Sequence, residues 1–116
     1  MEIENIKRVL LENAKEYYNN GVRAEKDNNY NTAVTLYFKS INALCDLFIV
    51  VKEKIFPTNH AERFRILEAK YLDIYSILDE SFPLYQDSYK ARLNKEDCEV
   101  LRKDAERIAQ ILDIVL

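Results

Sequence analysis

Apolar residues along this chain recur three and four apart almost throughout, the spacing of one face of an α-helix rather than the alternation of a strand. Ile3, Ile6, Leu10, Ala14, Tyr17, Gly21 and Ala24 form one such stripe, which predicts a first helix ending near the polar run "KDNNYN". Asn29 or Asn31 in that run can cap a second helix, whose stripe is Ala33, Tyr37, Ile41, Leu44, Phe48, Val51 and Ile55. Between Ala43 and Val51 this helix is apolar nearly all round, so it is expected to be the most buried. Pro57 ends it, having no N–H and disfavouring helical backbone at Phe56. A third helix is predicted from Thr58 or Asn59 through Phe64, Leu67, Tyr71, Ile74 and Leu78, stopping before Pro83. The stretch "SFPLYQDSYKARL" has no sustained period and reads as a connector with one short helical turn. Asn94 then caps a last helix with Asp97 at its third position, and Cys98, Leu101, Ala105, Ile108, Leu112 and Val115 face inward. The expected fold is all-α, an up-and-down antiparallel four-helix bundle in a single domain over residues 1–116.

Composition supports that picture and narrows the partners. One Gly and two Pro leave few places for the chain to turn, as long helices require. Charged residues of both signs make up 32% of the chain with a net charge of -3, so there is no bulk attraction to DNA or to an anionic membrane, and any RNA contact must be a local patch. Cys45 and Cys98 stand alone in helical segments, without a CxxC pair or a Cys/His cluster, and read as small core residues. No metal site, cofactor motif or glycine-rich loop is expected. The start of the chain lacks the apolar stretch of a signal peptide, and "LCDLFIVV" is too short to cross a bilayer, which points to a cytoplasmic protein. Carboxylate pairs such as Asp79 and Glu80 fall at predicted helix ends and are read as caps and solubility.

The densest chemistry is in "KEKIFPTNHAERFRIL", which holds the only histidine. Asn59 followed by Glu62 forms a variant capping box, placing His60 in the first turn of the third helix, where a solvated imidazole needs no function. Lys52, Lys54, Arg63 and Arg65 could rim a phosphate site, although cations flanking a loop are ordinarily a solvated face. Tyr17, Tyr37 and Tyr71 lie on apolar stripes, whereas Tyr75, Tyr85 and Tyr89 are better placed to meet a ligand.

Two family resemblances bear on function. "EYYNNGVRAEKDNNYNTAVTLYFKS" resembles one tetratricopeptide unit through Tyr17, Gly21, Ala33, Tyr37 and Ser40. The second copy that an array needs about 34 residues later is missing, so a lone, tightly packed helical hairpin is the better account, with a peptide-binding adaptor as the functional alternative. The second resemblance covers roughly residues 10–114. Tyr30, Ala33, Phe38, Ala43, Pro57, Thr58, His60, Tyr89, Arg92, Asp104 and Ala105 fall in the order and spacing of the HEPN superfamily of small helical bundles. The resemblance implies a homodimer whose second and third helices line a shared cleft, which in active members is a metal-independent ribonuclease site and whose usual partner is a small nucleotidyltransferase, as in toxin–antitoxin pairs. That family's pattern is an Arg, then His, then often Tyr; here Lys54 stands for the Arg, His60 is kept, and Glu62 replaces the Tyr. An ammonium cannot grip phosphate through two parallel donors as a guanidinium does. The resulting expectation is a binding or regulatory module associated with RNA or nucleotide. Ribonuclease action by His60 and Lys54 is the alternative, and Lys52, Arg63, Tyr89 and Arg92 are the candidate phosphate and ligand contacts.

Overall fold

The computed structural model describes residues 2–116, which form five α-helices and no strand. Helices α1 (Ile3–Lys26) and α2 (Tyr30–Glu53) are 24 residues each. Their contacts run in opposite order, so the two are antiparallel: Gly21 meets Tyr37, the Ala14 carbonyl accepts from Ser40 Oγ at 2.8 Å, and Leu10 clusters with Leu47 and Val50. A Cβ on Gly21 would lie 2.8 Å from the Tyr37 ring, so the chain's one glycine is what lets these helices touch. The link between them is a Schellman turn in which the Asn29 N–H donates to the Ala24 carbonyl at 2.9 Å and the Asn28 N–H to Glu25 at 3.0 Å, with Asn28 left-handed at φ 62°.

Helix α2 is buried on most sides from Ala33 to Val50. By length and composition it could cross a membrane, with a mean hydropathy of 1.6 over its most apolar stretch, but 67% of that stretch is buried inside the protein, which accounts for its character. It ends at Glu53, closed by Lys54 at φ 60°, so Ile55 lies beyond the helix and is 48% exposed rather than inward.

The single third helix expected from Thr58 or Asn59 to Leu78 is instead two, α3 (His60–Lys70) and α4 (Leu72–Asp87). Tyr71 breaks it, with φ -134° and ψ 64°. Its hydroxyl donates to Glu53, Lys70 Nζ reaches the same carboxylate at 2.9 Å, and its ring meets Phe48 edge-on at 4.8 Å. These contacts hold residue 71 against the end of α2, and within the first turn of α4 Asp73 Oδ1 accepts from the otherwise free Ile74 N–H at 2.9 Å.

The expected connector after Leu78 is helical as far as Asp87, with Pro83 inside α4. Ile74, Ile77, Leu78 and Ser81 are buried, and Phe82 and Tyr85 continue the same face onto Phe38. Pro83 itself is exposed, so its ring meets solvent and the helix loses one hydrogen bond, at the Asp79 carbonyl.

Helix α5 (Lys95–Ile111) begins in the expected capping box, Asn94 Oδ1 accepting from the Asp97 N–H at 2.9 Å and Asp97 Oδ2 from the Asn94 N–H at 3.2 Å. It buries Cys98, Leu101, Ala105 and Ile108 as expected and ends in a second Schellman turn around Asp113, φ 59°. Val115, expected inward, lies past that turn and is 85% exposed. Cys45 and Cys98 are unpaired and wholly buried, and burial pushes both thiols up to about 12.

Gly21→Ala should destabilise the fold by about 1–2 kcal/mol, overpacking against Tyr37 outweighing the roughly 1 kcal/mol that alanine gains over glycine in a helix. Urea denaturation measures it, and an unchanged or raised midpoint would mean that the Gly21–Tyr37 approach is not a constraint.

Candidate functional site

The start of α3 is built by its caps. Asn59 Oδ1 accepts from the Glu62 N–H at 2.9 Å and Thr58 Oγ1 donates to Glu62 Oε2 at 2.9 Å, which sets His60 as the first helical residue and Arg63 one turn on. His60 is not left in solvent. Its ring lies 4.5 Å from both Phe64 and Phe82 and 5.9 Å from Phe38, which stacks on Tyr85 at 4.2 Å.

Arg63 joins this aromatic cluster to α2. Its Nε and Nη2 donate to the two carboxylate oxygens of Asp46 at 2.7 and 2.9 Å, and its Nη1 lies 3.0 Å from His60 Nδ1. A guanidinium has donors only, so His60 Nδ1 accepts and the neutral ring carries its proton on Nε2. Nε2 is buried and has no partner. Burial, and then the Arg63 charge, hold the imidazole below its ordinary pKa. Burial raises the Asp46 carboxyl, and the hydrogen bonds and charge of Arg63 oppose that rise. As packed, His60 offers no free lone pair to take a proton from a substrate.

The remaining candidates do not converge on His60. Lys54 ends α2 exposed, and no hydrogen bond or ion pair joins it to His60 among the described residues. Lys52 is exposed over the Phe48 ring, 5.7 Å from its centre, on the rim of a groove at that end of α2. Arg63 is held by Asp46, with its side chain 11% exposed.

Tyr89 and Arg92 are brought together. They line a shallow pocket of about 290 Å³ in the turn between α4 and α5, with Lys90 and Asn31. Tyr89 is 77% exposed and its hydroxyl lies 2.5 Å from that of Tyr85, whose own ionisation this contact and burial push up to about 12. Asn31 fixes the turn: its Nδ2 donates to the Ser88 and Ala91 carbonyls at 3.0 and 2.8 Å, and its Oδ1 accepts from the Leu93 N–H at 2.9 Å.

A second titratable cluster went unread in the sequence. Asp104 on α5 is 2% exposed, and its Oδ2 has no partner. Arg107 Nη1 lies 3.4 Å from Asp104 Oδ1 and 3.6 Å from Glu80 Oε2 on α4. Burial and the neighbouring Glu80 raise the Asp104 carboxyl to about 8, against the pull of Arg107. Glu80 thus serves more than solubility. An aspartate between Leu101, Ala105 and Ile108 on the inward stripe was the available signal.

No family model matches this chain, and comparisons with curated proteins and with solved structures find no match.

Two outcomes follow from these geometries. Arg63→Ala should cost about 3–5 kcal/mol, because it leaves Asp46 buried and unpaired, whereas Arg63→Met combined with Asp46→Leu should cost much less; denaturation of both variants measures the difference, and equal losses would show that charge pairing is not what Arg63 supplies. Asp104 gains a proton on folding, so its contribution is complete below about pH 4 and is lost as pH rises toward about 8, with a slope of at most about 1.4 kcal/mol per pH unit. His60 acts oppositely, chiefly below its unperturbed pKa of about 6.5, and the buried Cys45 and Cys98 lower stability only as pH nears the unperturbed thiol pKa of about 8.5, so stability measured from about pH 7 to 8 should fall in the parent and stay nearly flat in Asp104→Asn.

Proposed function

We propose that this chain is a HEPN-like helical module, an up-and-down bundle with α3 as a short added helix, that contacts single-stranded RNA or nucleotide through its α4–α5 turn and does not cleave it. The observation that carries the reading is Tyr89, 77% exposed and lining one shallow pocket with Lys90 and Arg92, on a turn that the hydrogen bonds of Asn31 hold in place. An exposed ring gives a base a stacking platform, and cations beside it meet the neighbouring phosphates, the combination that binds single strands without reading sequence. Because the ring is already positioned, little entropy is lost when a base stacks on it. The net charge of -3 makes such binding local, weak and salt-sensitive.

Absence of cleavage is supported by His60. A metal-free ribonuclease needs an imidazole nitrogen that faces the 2′-hydroxyl, whereas here one nitrogen accepts from Arg63 and the other is buried against aromatic rings. A cleft shared between two copies would not alter this, since both nitrogens are occupied within the protomer's own packing.

Fluorescence anisotropy with labelled oligouridylate at low salt tests the proposal. Tyr89→Ala should weaken binding about 5- to 100-fold, and Arg92→Ala should lower the slope of log affinity against log salt by about 0.7. The RNA should stay intact with the parent chain and with His60→Ala. Binding that ignores Tyr89, or none at all, would sink the surface; metal-free cleavage abolished by His60→Ala would replace the module with a nuclease.

A further inference from the structure

The end of the bundle away from the Tyr89 turn carries a groove of about 600 Å³ between the start of α1, the end of α2 and the segment after α5. Leu11, Leu47, Phe48, Val51 and Ile111 line it. Val51 and Ile111 are 39% and 43% exposed although their neighbours Leu47 and Val50 are 7% and 1% exposed, so the apolar face of α2 continues past what the chain itself covers. The rim is cationic in an acidic chain: Lys7, Arg8 and Lys52 face one carboxylate, Glu4. Lys7 pairs with Glu4 and Arg8 with Glu12, each at 3.2 Å, and Arg8 also donates to Asn5 Oδ1 at 2.6 Å; these are exposed contacts that exchange readily, and among the described residues Lys52 has no carboxylate partner.

We propose that this groove docks an acidic amphipathic helix of a partner protein. A concave apolar floor takes the side chains that a helix presents at i, i+3, i+4 and i+7, and glutamates or aspartates beside that stripe would meet Lys7, Arg8 and Lys52. Charge decides among occupants. A second copy would set the three cations against their own counterparts, and a flat bilayer surface does not fill a concave site. The surface lies at the other end of α2 from the proposed RNA contact and stands independently of it.

The probe is a labelled synthetic peptide of about four helical turns, with leucines at that spacing flanked by glutamates, compared with one carrying lysines in their place. The acidic peptide should bind saturably and the basic one should not. Val51→Glu, at an exposed position, should weaken the acidic peptide about tenfold or more while circular dichroism stays unchanged, and Lys52→Glu should weaken it several-fold and narrow the difference between the peptides. Val51→Ala is the milder variant should the glutamate disturb the fold. Equal affinity for both peptides, or none for either, overturns the proposal. So does a dimer in light scattering that Val51→Glu dissociates, which would assign the groove to a second copy, or binding to vesicles of anionic lipid lost in the same variant.

Discussion

Arg63 is the point on which the α3–α4 half of the molecule depends. One guanidinium grips Asp46 on α2 with two donors and His60 on its own helix with a third, at 2.7, 2.9 and 3.0 Å. Without it α3 would meet α2 through few contacts, and His60 would have no reason to turn inward. With it, His60 enters the ring cluster of Phe38, Phe64 and Phe82 that seats α4. The position of α4 then decides where Tyr85 and Tyr89 project. A buried pair of this kind adds little net stability over an apolar replacement, because desolvating both charges consumes most of their attraction. Its role is to favour the arrangement of α3 in which the buried Asp46 carboxylate keeps both Arg63 donors.

Much of this was readable from residue spacing. The α1 stripe from Leu10 to Ala24, the α2 stripe from Ala33 to Leu44, the Asn94–Asp97 box and the inward Cys98 to Ile108 face appear as the periodicity requires, whereas Ile3, Val51 and Ile55 at the stripe ends are exposed. Local signals failed where tertiary contacts outweighed them. Tyr71 sits on an apolar stripe and was expected mid-helix, but its hydroxyl and ring both find partners on α2, and the backbone breaks to reach them. Pro83 was expected to stop a helix, yet Leu78, Phe82, Tyr85 and Tyr89 keep helical spacing across it, and the aromatic stacking on Phe38 outweighs one missing hydrogen bond.

The site residues were legible in type more than in arrangement. His60 was correctly placed in a first turn, but its burial depends on Phe38 and Phe82, which are distant in sequence. Arg63 looked like a free phosphate ligand, because nothing local reveals that Asp46, on the other side of Pro57, would claim it. Tyr89 and Arg92 did fall together, since a short turn separates residues by little whatever the fold does. Asp104 entered the sequence reading only through the HEPN-like order, its burial being signalled just by a polar residue on an apolar stripe, and its coupling to Glu80 needed α4 to be helical past Leu78.

The single glycine has a consequence beyond the close contact at Tyr37. Three helix ends adopt the left-handed backbone that glycine takes without strain, and all three are filled otherwise, by Asn28, Lys54 and Asp113. Asn and Asp tolerate that region through local hydrogen bonding, whereas the Lys54 side chain crowds its own carbonyl at a cost of about 1 kcal/mol. The molecule therefore holds a reserve at its surface. A variant weakened at Arg63 or in the groove can recover part of its stability at position 54, an exposed residue outside the core that lines neither proposed contact surface although it closes the helix carrying Val51 and Lys52.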